Sequence, residues 1–120
     1  MSYYSDAVAV MYETDYDEIR EKILNTVEDE WDRSYFENAE VSFKNDLAII
    51  KWESVNHFGR GSTSMKMFLD FLDTVPHNFI RIGEGVDDQL DIERDMTDFQ
   101  DINEYLKFNI LGYSIAIEVY

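Results

Sequence analysis

The sequence predicts an α+β fold, a largely antiparallel sheet with two helices packed on one side. Three observations predict it. Short apolar runs rich in β-formers alternate with polar residues, and two longer stretches place apolar residues every three or four positions. A polar turn also separates two strand-like segments in the middle of the chain.

Val8-Ala9-Val10-Met11-Tyr12 reads as a buried first strand. Thr14, followed by Asp15, Asp17 and Glu18, has the form of a helix start, with a capping hydroxyl and acids in the first turn. Ile19, Ile23, Val27 and Trp31 then recur every four residues beside Tyr16 and Leu24, predicting one long helix with Trp31 on its buried face. Ala39, Val41 and Phe43 alternate, Lys44-Asn45-Asp46 reads as a turn, and Leu47 to Glu53 returns as the second arm of a hairpin. Ser62, Thr63 and Ser64 offer caps for a second helix carrying Met65, Phe68, Leu69 and Leu72, which Pro76 ends.

Phe79 to Ile82 is a further strand, stopped by Gly83-Glu84-Gly85. Leu90 and Ile92 alternate with Asp91 and Glu93 as in an edge strand, while Asp95 to Asp101 suits a loop or helical turn. Tyr105 to Ile110 and Tyr113 to Val119 form a terminal hairpin about Leu111-Gly112. The order β-α-β-β-α-β matches the split, ferredoxin-like arrangement with a C-terminal hairpin added; the α+β sandwich is the broader expectation.

A chain of 120 residues with 45% apolar and 15% aromatic content supplies one core, so a single domain over 1–120 is expected. There is no cysteine, which excludes disulfides, thiolate metal sites and cysteine nucleophiles. Met1 to Asp6 lacks the basic flank and apolar run of a signal peptide. No window approaches the roughly 18 apolar residues of a membrane span. A cytoplasmic protein without membrane contact is the resulting expectation.

The net charge of −16 is segregated. Residues 13–32 hold nine acids against Arg20 and Lys22, and residues 84–104 hold nine more against Arg94. Residues 34–83 carry six acids and five bases and are nearly neutral. Such a balance disfavours direct binding to nucleic acid and favours basic partners, including the grooves by which enzymes and repressors hold DNA or RNA. Duplex DNA presents about one charge per 1.7 Å, so eighteen carboxylates correspond to about 30 Å of duplex. The plain alternative is a solvated surface serving solubility.

Catalytic and metal motifs are missing. The run from Asp87 to Glu93 has Leu90 and Ile92 where a calcium loop needs ligand spacing or glycine. His57 and His77 fall in expected loops, without a His-x-x-x-His pair. Ser62 has no nucleophile-elbow motif around it. Scattered acids carry no information about paired-carboxylate hydrolysis. Gly59-Arg60-Gly61-Ser62-Thr63-Ser64 precedes an expected helix, where an N-terminus with a nearby arginine suits a phosphate or carboxylate; a loop and an N-cap is the simpler reading. No enzyme activity and no cofactor are expected.

Two stretches, Tyr3-Tyr4-Ser5-Asp6-Ala7-Val8-Ala9-Val10 and Phe79-Ile80-Arg81-Ile82-Gly83-Glu84-Gly85-Val86-Asp87-Asp88, resemble segments of small acidic proteins carried by bacteriophages and prophages. The resemblance implies a counter-defence role in a bacterial host cell, of the kind played by acidic DNA mimics that block restriction, CRISPR or DNA-repair enzymes.

The leading expectation is therefore a non-enzymatic inhibitor of a basic nucleic-acid-binding protein. Asp17, Glu18, Glu21, Glu28 and Asp29 on the first helix, with Asp87, Asp88, Asp91, Glu93, Asp95 and Asp98 later, stand in for phosphates. An immunity protein or antitoxin against a basic nuclease shares these electrostatics. An assembly subunit or homodimer, built on the apolar strand Tyr113 to Tyr120, is the alternative of another class.

Overall fold

Ala7 to Met11 are all fully buried in the computed structural model, which describes residues 4–56, 62–84, 90–96, 106–111 and 114–119. Successive strand residues point to opposite faces, so an unbroken buried run requires cover on both. β1 (Tyr4–Tyr12) has it, at the centre of a five-stranded sheet of order β2-β3-β1-β4-β5. The partners are β2 (Glu40–Lys44), β3 (Leu47–Asn56), β4 (His77–Glu84) and β5 (Leu90–Met96), and every pairing is antiparallel. Helices α1 (Glu13–Thr26), α2 (Glu30–Glu37) and α3 (Thr63–Leu72) complete an α+β fold. Each helical connection skips one strand, so that β1 and β2 flank β3, and β3 and β4 flank β1.

The two sheet faces differ in side-chain size. On the helix side Ala7, Ala9 and Ala48 are small, leaving depth for Trp52, Met65, Phe68 and Phe36. Trp52 and Phe68 meet edge to face at 5.3 Å, and Phe36 lies 5.7 Å from Phe68. Val8, Val10, Leu47, Ile49, Ile80 and Ile82 form a second buried cluster on the other face. β6 (Leu106–Leu111) and β7 (Ser114–Val119) pair as a separate hairpin, and β7 comes against β1. Both edges of β1 are already hydrogen-bonded, so β7 reaches it over a face. The helices occupy one face, which leaves the valine- and isoleucine-rich face to the hairpin.

The β2–β3 turn forms where Lys44-Asn45-Asp46 indicates it. Asn45 and Asp46 both have positive φ, 55° and 64°, as a two-residue hairpin turn of matching twist demands. Asn and Asp tolerate that region better than other residues with a Cβ, and glycine tolerates it best. Asp46→Gly is expected to raise stability by about 0.5–1 kcal/mol and Asp46→Val to lower it by about 1–2 kcal/mol; urea denaturation reads both. Near the other end of β3 the register with β1 slips between Ser5 and Ala7, because β3 carries one extra residue between Trp52 and Val55.

Several expectations are corrected. The long first helix is two helices: α1 stops at Thr26, Val27 is extended, and α2 begins at Glu30. Asn25, Thr26 and Val27 are weak helix formers, and Asp29 restarts the helix by accepting the Trp31 backbone N–H at 2.9 Å. The turn in the chain carries Trp31 out of the core, where it is 65% exposed. Among the described residues three helices, not two, therefore cover the sheet. Thr14 is not the cap of α1, which starts at Glu13 behind Tyr12 without a side-chain cap. α3 begins as expected, with the Ser62 hydroxyl accepting the Met65 N–H at 3.1 Å, but stops at Leu72, well before Pro76. His77 lies in β4 rather than a loop, and is buried with Nδ1 2.8 Å from the Val75 carbonyl. The strand from Leu90 extends through Asp95 to Met96. His57, Arg60 and the segment 97–101 lie outside the described residues.

Candidate functional site

The inward face of α1 determines which acids face out. Tyr16, Ile19 and Ile23 are buried against the sheet. Asp17, Glu18 and Glu21 lie on the exposed side of the helix, three and four residues apart and hence on one surface. Lys22 pairs with Glu18 at 3.4 Å, with both side chains 56% exposed, which makes the pair a weak one. Asp15 is held above the usual carboxylate range, by burial first and by the nearby Glu18 charge second.

Val27 is buried and anchors the link between the helices. Glu28, Asp29 and Glu30 beside it are exposed. Their electrostatics divide. Asp29 and Glu30 sit at the start of α2, where the helix dipole favours anions. Glu28 sits just past the end of α1, where the dipole favours cations, and the last turn of α1 has no basic residue. Glu28 is also the residue before the Asp29 cap of α2, whose dipole favours an acid, so the two helix ends act in opposite directions on it.

The later acids belong to a different element. Asp91, Glu93 and Asp95 occupy β5, in register with Gly83, Arg81 and Phe79 of β4. Residues directly opposite one another share a face, and Phe79 belongs to the helix-side core. Positions 91, 93 and 95 therefore fall in the helix-side alternation set, at the β5 edge. α1 leans the other way, with Tyr16 6.0 Å from Phe43 on the β2 edge strand. Four strand spacings, about 19 Å, separate the two edges. Asp87, Asp88 and Asp98 lie outside the described residues.

One expected anion site is already filled by the chain itself. The Thr63 and Ser64 backbone N–H groups at the start of α3 donate to the two carboxylate oxygens of Asp32, both at 2.8 Å. The Ser64 hydroxyl donates to the Asp32 carbonyl at 2.7 Å. Among the described residues this end of α3 thus holds a carboxylate from α2, locking the two helices together. Burial acts to raise the Asp32 pKa, but the hydrogen bonds from Ser64 and Thr63 outweigh it and hold the carboxyl below its usual value. The stabilisation is thus complete above the unfolded pKa, near 3.8, and is lost as pH falls through the lower folded value. Asp32→Ala is expected to cost about 1–2 kcal/mol near neutrality, and the difference from wild type should shrink in that acid window. Thermal melts from neutral to acid pH test this.

A groove of about 400 Å³ lies between α1, α2 and β2, lined by Tyr16, Arg20, Leu24, Arg33, Phe36, Glu37 and Val41. Arg33 Nε is 3.1 Å from Glu37 Oε1, an ion pair whose N–H is not aligned for a hydrogen bond. Burial pushes the Tyr16 phenol up, Arg20 opposes, and Asp17 adds to the rise. Arg20 lines the groove beside Tyr16 yet is exposed and close in sequence to Asp17 and Glu21, while Arg33 pairs with Glu37.

Beside the acids stands an aromatic pair, of which the four-residue periodicity places Trp31 in the core. Trp31 and Tyr35 meet edge to face at 5.1 Å, with their planes at 86°. The Tyr35 carbonyl accepts the Trp52 indole N–H at 3.0 Å, which ties this turn of α2 to β3. The signal that points to the outward Trp31 is local: Asp29 followed by Glu30 and Asp32 is itself a helix start.

Among the described residues no group of three His, Asp or Glu converges to hold a metal ion, and no helix is long and apolar enough to cross a membrane. No family model matches the chain, and no curated protein or solved structure is significantly similar to it.

Proposed function

We propose that this chain is a non-enzymatic binding protein that occupies the nucleic-acid groove of a basic partner, as an inhibitor of the phage counter-defence type. The observation that carries the reading is the exposed carboxylate run Asp17, Glu18, Glu21, Glu28 and Asp29 along α1 and its link to α2.

The spacing supports the same reading. The run spans about 15–20 Å along α1 and the link, or roughly 4–5 Å per charge, against about 3.4 Å for one nucleic-acid strand. The carboxylates alone approach the density of a single strand, and Arg20 and Lys22 in the same stretch lower its net charge to −3. Asp91, Glu93 and Asp95 on β5, with Asp87, Asp88 and Asp98, would supply the second line of charge.

Affinity capture from bacterial lysate, eluted with rising salt, tests the reading. The expected catch is a basic nucleic-acid-binding protein that leaves the column as salt rises and is competed off by duplex DNA. Capture of a partner indifferent to both salt and DNA would mean that the acids serve solubility instead.

A further inference from the structure

We infer that Trp31 is the anchor of this surface and that it receives an arginine side chain of the basic partner, stacked on the indole and held by the carboxylates around it. This assignment rests on the acidic-surface reading and adds the chemistry of one contact to it.

An indole left 65% exposed by its own fold gains little from folding. Tryptophan is among the residues enriched at the few positions that dominate protein interfaces, where it packs on a fixed base. Trp31 has such a base: Tyr35 one turn on, edge to face at 5.1 Å, itself tied to β3 through Trp52.

The neighbours say which occupant fits. Glu28, Asp29 and Glu30 are exposed within three residues of the indole. Arg33, the nearest cation in sequence, is engaged by Glu37 at 3.1 Å. A neutral apolar side chain would cover the ring but leave these carboxylates facing it desolvated and unmatched. A cation satisfies both the ring face and its acidic surround. Of the two cationic side chains, arginine is the better match, because its guanidinium is planar, more weakly hydrated and able to donate to a carboxylate while stacked.

Two synthetic peptides of equal length, oligo-arginine and oligo-lysine, serve as probes for calorimetric titration and for tryptophan fluorescence. Trp52 is buried, so a fluorescence change on binding reports mainly on Trp31. Wild type is expected to bind oligo-arginine about five- to tenfold more tightly than oligo-lysine. Trp31→Ala should abolish that preference, and Trp31→Phe should keep part of it. Equal affinities for the two peptides, unchanged in Trp31→Ala but weakened in a triple reversal of Asp17, Glu21 and Glu28 to lysine, would overturn the arginine assignment and leave the acidic surface standing. Affinities unmoved by the triple reversal would overturn both. Trp31 is exposed, so each variant is expected to fold, and circular dichroism checks this.

Discussion

Trp52→Ala is expected to destabilise the protein by about 3–5 kcal/mol, the largest effect of any single substitution considered. Trp52 is fully buried on the helix side of β3, opposite Ala7 of β1 in register. Its ring packs edge to face on Phe68 at 5.3 Å, and its N–H satisfies the Tyr35 carbonyl at 3.0 Å. Truncation leaves a cavity beside Ala7, which is too small to fill it, and leaves the Tyr35 carbonyl without this donor. A domain of this size has roughly 5–15 kcal/mol in total, so the variant should be marginal at 37 °C. Trp52→Phe keeps most of the volume and loses the hydrogen bond, for about 1–3 kcal/mol. If chemical denaturation gave the two variants equal and small losses, the core as described would be wrong.

The second large effect concerns binding. Reversing Asp17, Glu21 and Glu28 to lysine changes the net charge by two at each position, from −16 to −10. Each reversal removes an attraction to a basic groove and adds a repulsion, so affinity for the captured partner should fall about a hundredfold or more. Much of the loss should appear in the association rate, and the salt dependence should flatten. Stability should not follow. Glu28→Lys puts a cation between the end of α1, where the dipole favours it, and the start of α2, where the dipole favours the acid, so stability should change by no more than about 0.5 kcal/mol. A substitution that leaves stability nearly unchanged while weakening binding separates a functional acid from a structural one. Calorimetry and surface plasmon resonance on the triple reversal and on Glu28→Lys alone read both quantities.

Much of the fold was legible in the sequence because local and tertiary requirements agree. The Val8 to Tyr12 run reads as a buried strand, and it is the central one. Asn45-Asp46 reads as a turn because its residues tolerate the positive φ that the hairpin imposes. Ser62 reads as a cap and is one. The misreadings occur where one local pattern runs across a boundary. Ile19, Ile23, Val27 and Trp31 keep a four-residue period, but the chain turns at Val27 and the last member of the series points to solvent. Periodicity cannot register that turn, while the weak helix formers Asn25 to Val27 and the Asp29 cap do. His77 went unrecognised as buried because a residue after proline reads as loop, yet it begins β4.

The candidate site was legible only as a list of charges. That Asp17, Glu18 and Glu21 share one outer surface follows from helical spacing. The filling of the α3 N-terminus by Asp32 does not, because it joins residues 31 and 32 positions apart. Nor does the position of β5 across the sheet from α1's edge, which depends on strand order. No sequence pattern marks the placement of the terminal hairpin over the second face, since that depends on both edges of β1 being taken by β3 and β4.

The most direct test is a displacement assay with the partner recovered by capture and a labelled duplex that the partner binds. The acidic-mimic account predicts that this protein, titrated into the partner–duplex complex, releases the duplex with competitive kinetics, and that the triple reversal of Asp17, Glu21 and Glu28 fails to do so. A stable ternary complex, with the duplex still bound at saturating protein, would contradict it: the acidic surface would then meet its partner somewhere other than the nucleic-acid groove.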